Sequence, residues 1–100
     1  MRVYIAGPIT GMPDDNRRAF SRAEEFLGSA GHEPINPHKV CSPGDDYDTC
    51  MEKDLKALGT CDALYALIGW ENSPGAQVEM DRALELGLEI MLQKVNKWTE

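Results

Sequence analysis

Apolar positions fall in two alternating rhythms along this chain. Residues 3–6, 32–35, 62–68 and 89–92 are short apolar runs bounded by glycine, proline or asparagine, as buried strands are. Between them lie helical patterns. Residues 16–30 repeat apolar side chains at three- and four-residue spacing through Ala19, Phe20, Ala23, Phe26 and Leu27, and Gly31 ends the run as a glycine past a helix C-terminus does. Residues 47–59 carry Tyr47, Met51, Leu55 and Leu58 on one side. Residues 76–86 carry Ala76, Met80 and Ala83, with Gly87 as the stop. Residues 38–46, with Pro43-Gly44-Asp45, read as a polar loop. Strand and helix in regular succession predict a compact α/β domain over 1–100. It is a parallel sheet of about four strands with helices on both faces, a flavodoxin-like or Rossmann-like sandwich with the first and third strands adjacent in the middle. Ligands in such sheets bind beyond the carboxyl ends of the strands, where strand order reverses. Gly7, Asn36 and Gly69 stand at those ends, so three segments distant in sequence are expected at one crevice.

Two charged residues break the pattern. Glu79 lies on the apolar side of the last helix with Ala76, Met80 and Ala83. Asp54 sits between Met51 and Leu58 on the apolar stripe of the preceding helix. One such carboxylate reads as the wet edge of a stripe, because charged groups are seldom buried unless paired. Two on neighbouring helices that flank one strand point to chemistry, since paired carboxylates can divide into an ionised and a protonated partner. Glu79, close to a helix N-terminus, is expected ionised and nucleophilic; Asp54 is expected to orient a ligand or handle a proton. Just before Glu79, Ser73 fits an N-cap and Pro74 the first helical position. Gly75 and Ala76 leave the amides of the first turn uncovered, an arrangement that attracts anions. The loop Gly7-Pro8-Ile9-Thr10-Gly11 lets a ligand approach the backbone closely. It has neither the lysine of a P-loop nor dinucleotide-binding glycine spacing, and the second strand ends in Asn36 rather than an acid, so no nicotinamide cofactor is expected. Arg17 and Arg18 read as a solvated pair or a phosphate contact, Tyr4 as packing, Tyr47 as a cover or a cap, and His32 and His38 as structural.

Composition narrows the partners. The formal net charge of -7 argues against a nucleic-acid polymer or an anionic membrane, and no apolar run spans a bilayer. The first residues lead straight into a strand without a signal region, which predicts a cytoplasmic protein. Cys41, Cys50 and Cys61 lack both disulfide-framework and zinc spacing, so reduced thiols and no metal are expected. The tail from Lys94 carries Trp98, which reads as cover for an apolar edge or a partner subunit.

Together, Val3-Tyr4-Ile5-Ala6-Gly7-Pro8-Ile9-Thr10-Gly11, Asn36-Pro37, Lys53-Asp54-Leu55, Cys61-Asp62-Ala63 and the block from Gly69 through Glu79 resemble the nucleoside 2-deoxyribosyltransferase-like superfamily, in particular its small, often phage-encoded DUF4406 branch. The resemblance implies a parallel α/β sandwich, a homodimer or larger assembly, a nucleoside or nucleotide as the small-molecule partner, no cofactor, and cleavage or exchange of the N-glycosidic bond of a deoxynucleoside or its 5'-monophosphate. It places Glu79 as the nucleophile, Asp54 at the sugar or base, Ser73, Gly75 and Ala76 at a 5'-phosphate, and the first loop along the sugar pocket. The longer transferases carry further strands and a C-terminal segment that completes a neighbour's site. The rival reading is a non-catalytic nucleotide-binding protein using the same crevice.

Overall fold

The computed structural model describes residues 1–94. Four strands form one sheet: β1 (Arg2–Ala6), β2 (Glu33–Ile35), β3 (Ala63–Ala66) and β4 (Glu89–Leu92). Their order is β2-β1-β3-β4 and every pairing is parallel, so β1 and β3 are central as expected. The helices are α1 (Arg17–Ser29), a single-turn α2 (Pro37–Val40), α3 (Tyr47–Leu58) and α4 (Pro74–Glu85). The α2 turn, from Pro37 to Val40, takes up the start of the predicted polar loop. Asn36 caps it through a bond from the His38 N–H at 3.0 Å, and Pro37 starts it.

A strand covered on both sides needs apolar residues facing both ways, and β1 has them from Val3 to Ala6. Val3 and Ile5 face α1, packing with Phe20, Ala23 and Leu27 and with Ala63 and Tyr65 of β3. Tyr4 and Ala6 face the other way, against Leu58 of α3 and Met80 and Ala83 of α4. The chain leaves β1 through α1 to β2 on one side, and reaches β3 on the other side later, so the order reverses between the two central strands. The loop after β1 opens at this switch point. It starts at Gly7, where an added Cβ would lie 2.8 Å from the Leu67 side chain, too close for any other residue without a shift. It ends in a left-handed run, Asp14, Asp15 and Asn16 at φ 50, 53 and 60°. Short Asp and Asn side chains tolerate that region, and the Asn16 amide donates to the Pro8 carbonyl at 2.9 Å, tying the loop back on itself. Trp98 lies outside the described residues.

Candidate active site

At the switch point lies a cavity of about 950 Å³, within the range of small-molecule sites. Gly7, Pro8, Ile9, Thr10 and Gly11 form one wall, Gly69 and the Ser73-to-Ala76 turn another, and Asp54 and Glu79 look in from α3 and α4. Of the candidate catalytic and ligand-binding residues named from sequence, only Asn36 stays off the wall. It is buried, its side-chain oxygen is used to cap α2, and its neighbours Pro37 and His38 reach the cavity in its place.

The two carboxylates are nearly removed from solvent, Asp54 at 6% and Glu79 at 5% exposure. Glu79 accepts a hydrogen bond from the Tyr4 hydroxyl at 2.6 Å. Tyr4 is fully buried on the α4-facing side of β1 and has a single proton to give. Asp54 Oδ1 is buried with no partner. Taking an ionised carboxylate out of water is costly, so both groups hold their protons longer than usual. Burial pushes Glu79 up to about 8; the Tyr4 hydroxyl opposes the rise and the nearby charge of Asp54 adds to it. Burial raises Asp54 to about 6. Both carboxyls are thus pushed toward the protonated form, Glu79 the further of the two, so burial works against the ionised state that its place near a helix N-terminus suggests. The helix dipole does not rescue it, because the dipole's effect fades within the first turn and Glu79 lies in the second.

Ser73 takes the N-cap position as its sequence suggests, its Oγ accepting from the Ala76 N–H at 3.3 Å. The first intrahelical bond runs from Gln77 N to Ser73 O. The Gly75 N–H precedes it and faces outward with no carbonyl of the helix to meet, and Pro74 has no N–H to compete. The turn can therefore offer a ligand anion the Gly75 amide, the Ser73 hydroxyl and the long-bonded Ala76 amide. We expect Ser73→Ala to weaken a deoxynucleoside 5'-monophosphate by roughly 1.5–3 kcal/mol in calorimetric titration, because it deletes a hydrogen bond to a charged group. The matching nucleoside should lose little. Equal losses for both would leave Ser73 as a helix cap only.

Tyr4 belongs to the site from behind its wall: its strand position reads as core, and only the packing of α4 on β1 shows that its hydroxyl meets Glu79. Arg17 lines the cavity near Asp14, at 3.9 Å. His38, read from sequence as structural, also lines it, with its ring edge-on to Phe20 at 4.9 Å and its Nε2 unpartnered. Burial and then the Arg17 charge lower its pKa, so it stands neutral at pH 7. Cys41 and Cys50 are joined by a disulfide on the cavity wall, correcting the expectation of reduced thiols; only Cys61 is free. Their Cα atoms, 5.3 Å apart, are brought together by the turn between α2 and α3, which spacing alone did not disclose.

Known proteins resemble this chain in family and in fold. The DUF4406 family, described as a domain of unknown function, matches residues 1–92. Among solved structures, the CMP N-glycosidase BcmB of Clostridium botulinum is 27% identical, with a TM-score of 0.69 over 92% of this chain and 70% of that one. A 2-deoxyribosyltransferase of Bacillus psychrosaccharolyticus is 19% identical, with a TM-score of 0.73 over 96% of this chain and 77% of that one. The Leishmania mexicana 2-desoxiribosyltransferase is 20% identical, with a TM-score of 0.74 over 95% of this chain and 65% of that one. The last two likenesses are of fold. No curated protein matches the sequence. No helix among the described residues is long and apolar enough to cross a membrane.

Proposed function

We propose, from the premise that this chain belongs to the DUF4406 family, that it cleaves the N-glycosidic bond of a deoxynucleoside or its 5'-monophosphate, with Glu79 as nucleophile. The observation that carries this reading is the convergence of two buried carboxylates, Asp54 and Glu79, on one cavity that also holds a helix N-terminus suited to phosphate. The likeness to a CMP N-glycosidase supports the same chemistry.

The pair's proton inventory suits the reaction. Between about pH 6 and about 8 the two groups together hold one proton. In the free protein it rests on Glu79. Passed to Asp54, it leaves Glu79 as a carboxylate, steadied by the Tyr4 hydroxyl, and makes Asp54 an acid. Glu79 Oε then attacks the anomeric carbon as the bond to the base breaks, and Asp54 supplies the proton the departing base needs. Asp54, now ionised, takes a proton from water as that water attacks the glycosyl-Glu79 ester and frees the sugar. A second base in place of water would make the outcome an exchange. Ser73, Gly75 and Ala76 would hold a 5'-phosphate, and Gly7 to Gly11 would line the sugar.

The test is to incubate the purified protein with a panel of deoxynucleosides and their 5'-monophosphates and look for free base by chromatography. For a substrate that turns over, kcat/KM should be bell-shaped in pH. The lower limb should lie near 6, where the pair gains a second proton and loses its nucleophile; the upper should lie near 8, where it loses the proton for the leaving base. A rate still climbing above about pH 9 would remove the pair's proton from the mechanism. The other reading is a nucleotide-binding protein without turnover. What favours it is the burial of Glu79, which pushes its carboxyl up to about 8 and so works against a free nucleophile. Tight binding of a nucleotide with no base released across the whole panel would decide for it.

A further inference from the structure

The disulfide stands where it can govern the cavity. Cys41 ends α2 and Cys50 lies in the first turns of α3, so the bond closes a ring whose arc is the cavity wall from Ser42 to Tyr47. Gly44, at φ +91°, takes the left-handed conformation that turns this arc. Tyr47 leads α3 and is 57% exposed, yet its hydroxyl reaches the first turn of α4, 3.2 Å from where a Cβ on Gly75 would stand. The arc thus lies beside the helix N-terminus that we assign to the ligand's phosphate. Besides the disulfide, the arc is tied within itself by the Asp45 amide on the Ser42 carbonyl and the Asp46 cap on the Thr49 amide, and to α3 by Asp45, which accepts from Lys53 Nζ at 2.6 Å and from the Ser42 amide at 2.9 Å. The Lys53 ammonium is partly solvated, so that pair is a weak clamp alone. Both cysteines are only half-buried and open to a reductant, whereas Cys61 is buried in the α3–α4 core with its Sγ toward the Ala57 carbonyl.

We propose that Cys41 and Cys50 form a thiol–disulfide switch on the ligand cavity: oxidised, they hold the wall and Tyr47 in place for a nucleotide; reduced, they release both. The step is an exchange with a dithiol reductant. The protein's S–S bond breaks, two S–H bonds form on Cys41 and Cys50, and the reductant's two thiols become a disulfide. In a reducing compartment a half-buried disulfide at a site is more often such a switch than a permanent staple. The proposal takes its ligand class from the function proposed above, but concerns affinity and holds whether or not the ligand is turned over.

The test uses the full chain, oxidised and after treatment with dithiothreitol under argon. Thiol titration of the unfolded protein should find only Cys61 reactive in the first form and all three cysteines in the second. Reduction should weaken a deoxynucleoside 5'-monophosphate about five- to tenfold, because the closed wall is then populated only part of the time. The Cys41→Ser/Cys50→Ser protein should bind like the reduced form and ignore dithiothreitol; Cys61→Ser should remain responsive. Amide exchange across residues 42–49 should quicken on reduction and stay unchanged elsewhere. This readout needs no ligand, so a protein that binds no nucleotide would defeat the function proposed above without touching the switch. Equal affinity in both redox states, or unchanged exchange in the arc, would overturn the proposal. So would zinc held by the protein as isolated with Cys41 and Cys50 as thiolates: those two sulfurs and an Asp45 oxygen lie within 4.8 Å of one another, and a metal there would make them ligands instead.

Discussion

The Glu79→Gln protein is expected to fold, to bind a nucleotide, and to release base at least roughly a thousandfold more slowly than the parent. Glutamine keeps the shape of the side chain and an oxygen that can accept from Tyr4, so the 2.6 Å contact has a successor. What it lacks is a carboxylate able to form a glycosyl ester. With a slow substrate the parent should accumulate that ester, and peptide mass spectrometry should place the added sugar on Glu79. Asp54→Asn should be the milder lesion, slower by roughly a hundredfold or more, because it removes proton transfer and leaves the nucleophile in place. A poor base, which needs help to leave, should suffer more from Asp54→Asn than a good one. Undiminished release by Glu79→Gln would rule out the mechanism. Loss of nucleotide binding along with turnover would instead make Glu79 a ligand-binding group.

The same substitution should stabilise the fold, and increasingly so as the solution becomes more alkaline. Glu79 has an ordinary value of 4.5 and a folded one of about 8. Below pH 4.5 both folded and unfolded chains carry the proton, and the group's contribution is fully present. From there upward the unfolded chain releases the proton while the folded chain keeps it. Stability is therefore lost as pH rises, at up to about 1.4 kcal/mol per unit, until the folded group ionises near pH 8. Asp54, raised from 3.8 to about 6, acts with the same sign in a lower window. Surface carboxylates held by donors, Asp45 by Lys53 and Asp46 by the Thr49 amide, act in the opposite sense and only in acid. Comparing parent with variant cancels them. Urea unfolding should find Glu79→Gln the more stable protein by on the order of 2–5 kcal/mol at pH 8 and above, with the gap closing toward pH 4.5. A gap that stayed constant with pH would mean that Glu79 is ionised in the folded protein and that burial is not holding its proton.

These expectations rest on features of different origin. The order of elements was legible because it is written locally. Apolar runs of strand length, helical spacing and terminal glycines name each piece without reference to the others. Ser73-Pro74 announces the start of α4 because a cap and a fixed φ act within a few residues. Asn36-Pro37 carries the same cap-and-proline signal and starts the α2 turn. Asp54 and Glu79 were visible as misfits, since a carboxylate on an apolar stripe is anomalous whatever its partners.

The sequence alone therefore determined a parallel α/β architecture and the two acids to suspect. The tertiary structure decided what they are. Tyr4 meets Glu79 across 75 residues because β1 and α4 pack face to face, and no local pattern encodes that contact. Asn36 was drawn away from the cavity by a backbone amide two residues on, and Cys41 found Cys50 through the path of a turn. The upward push on both carboxyls has the same origin. Desolvation is the sum of everything packed around a group, so it exists only once the chain has closed on itself.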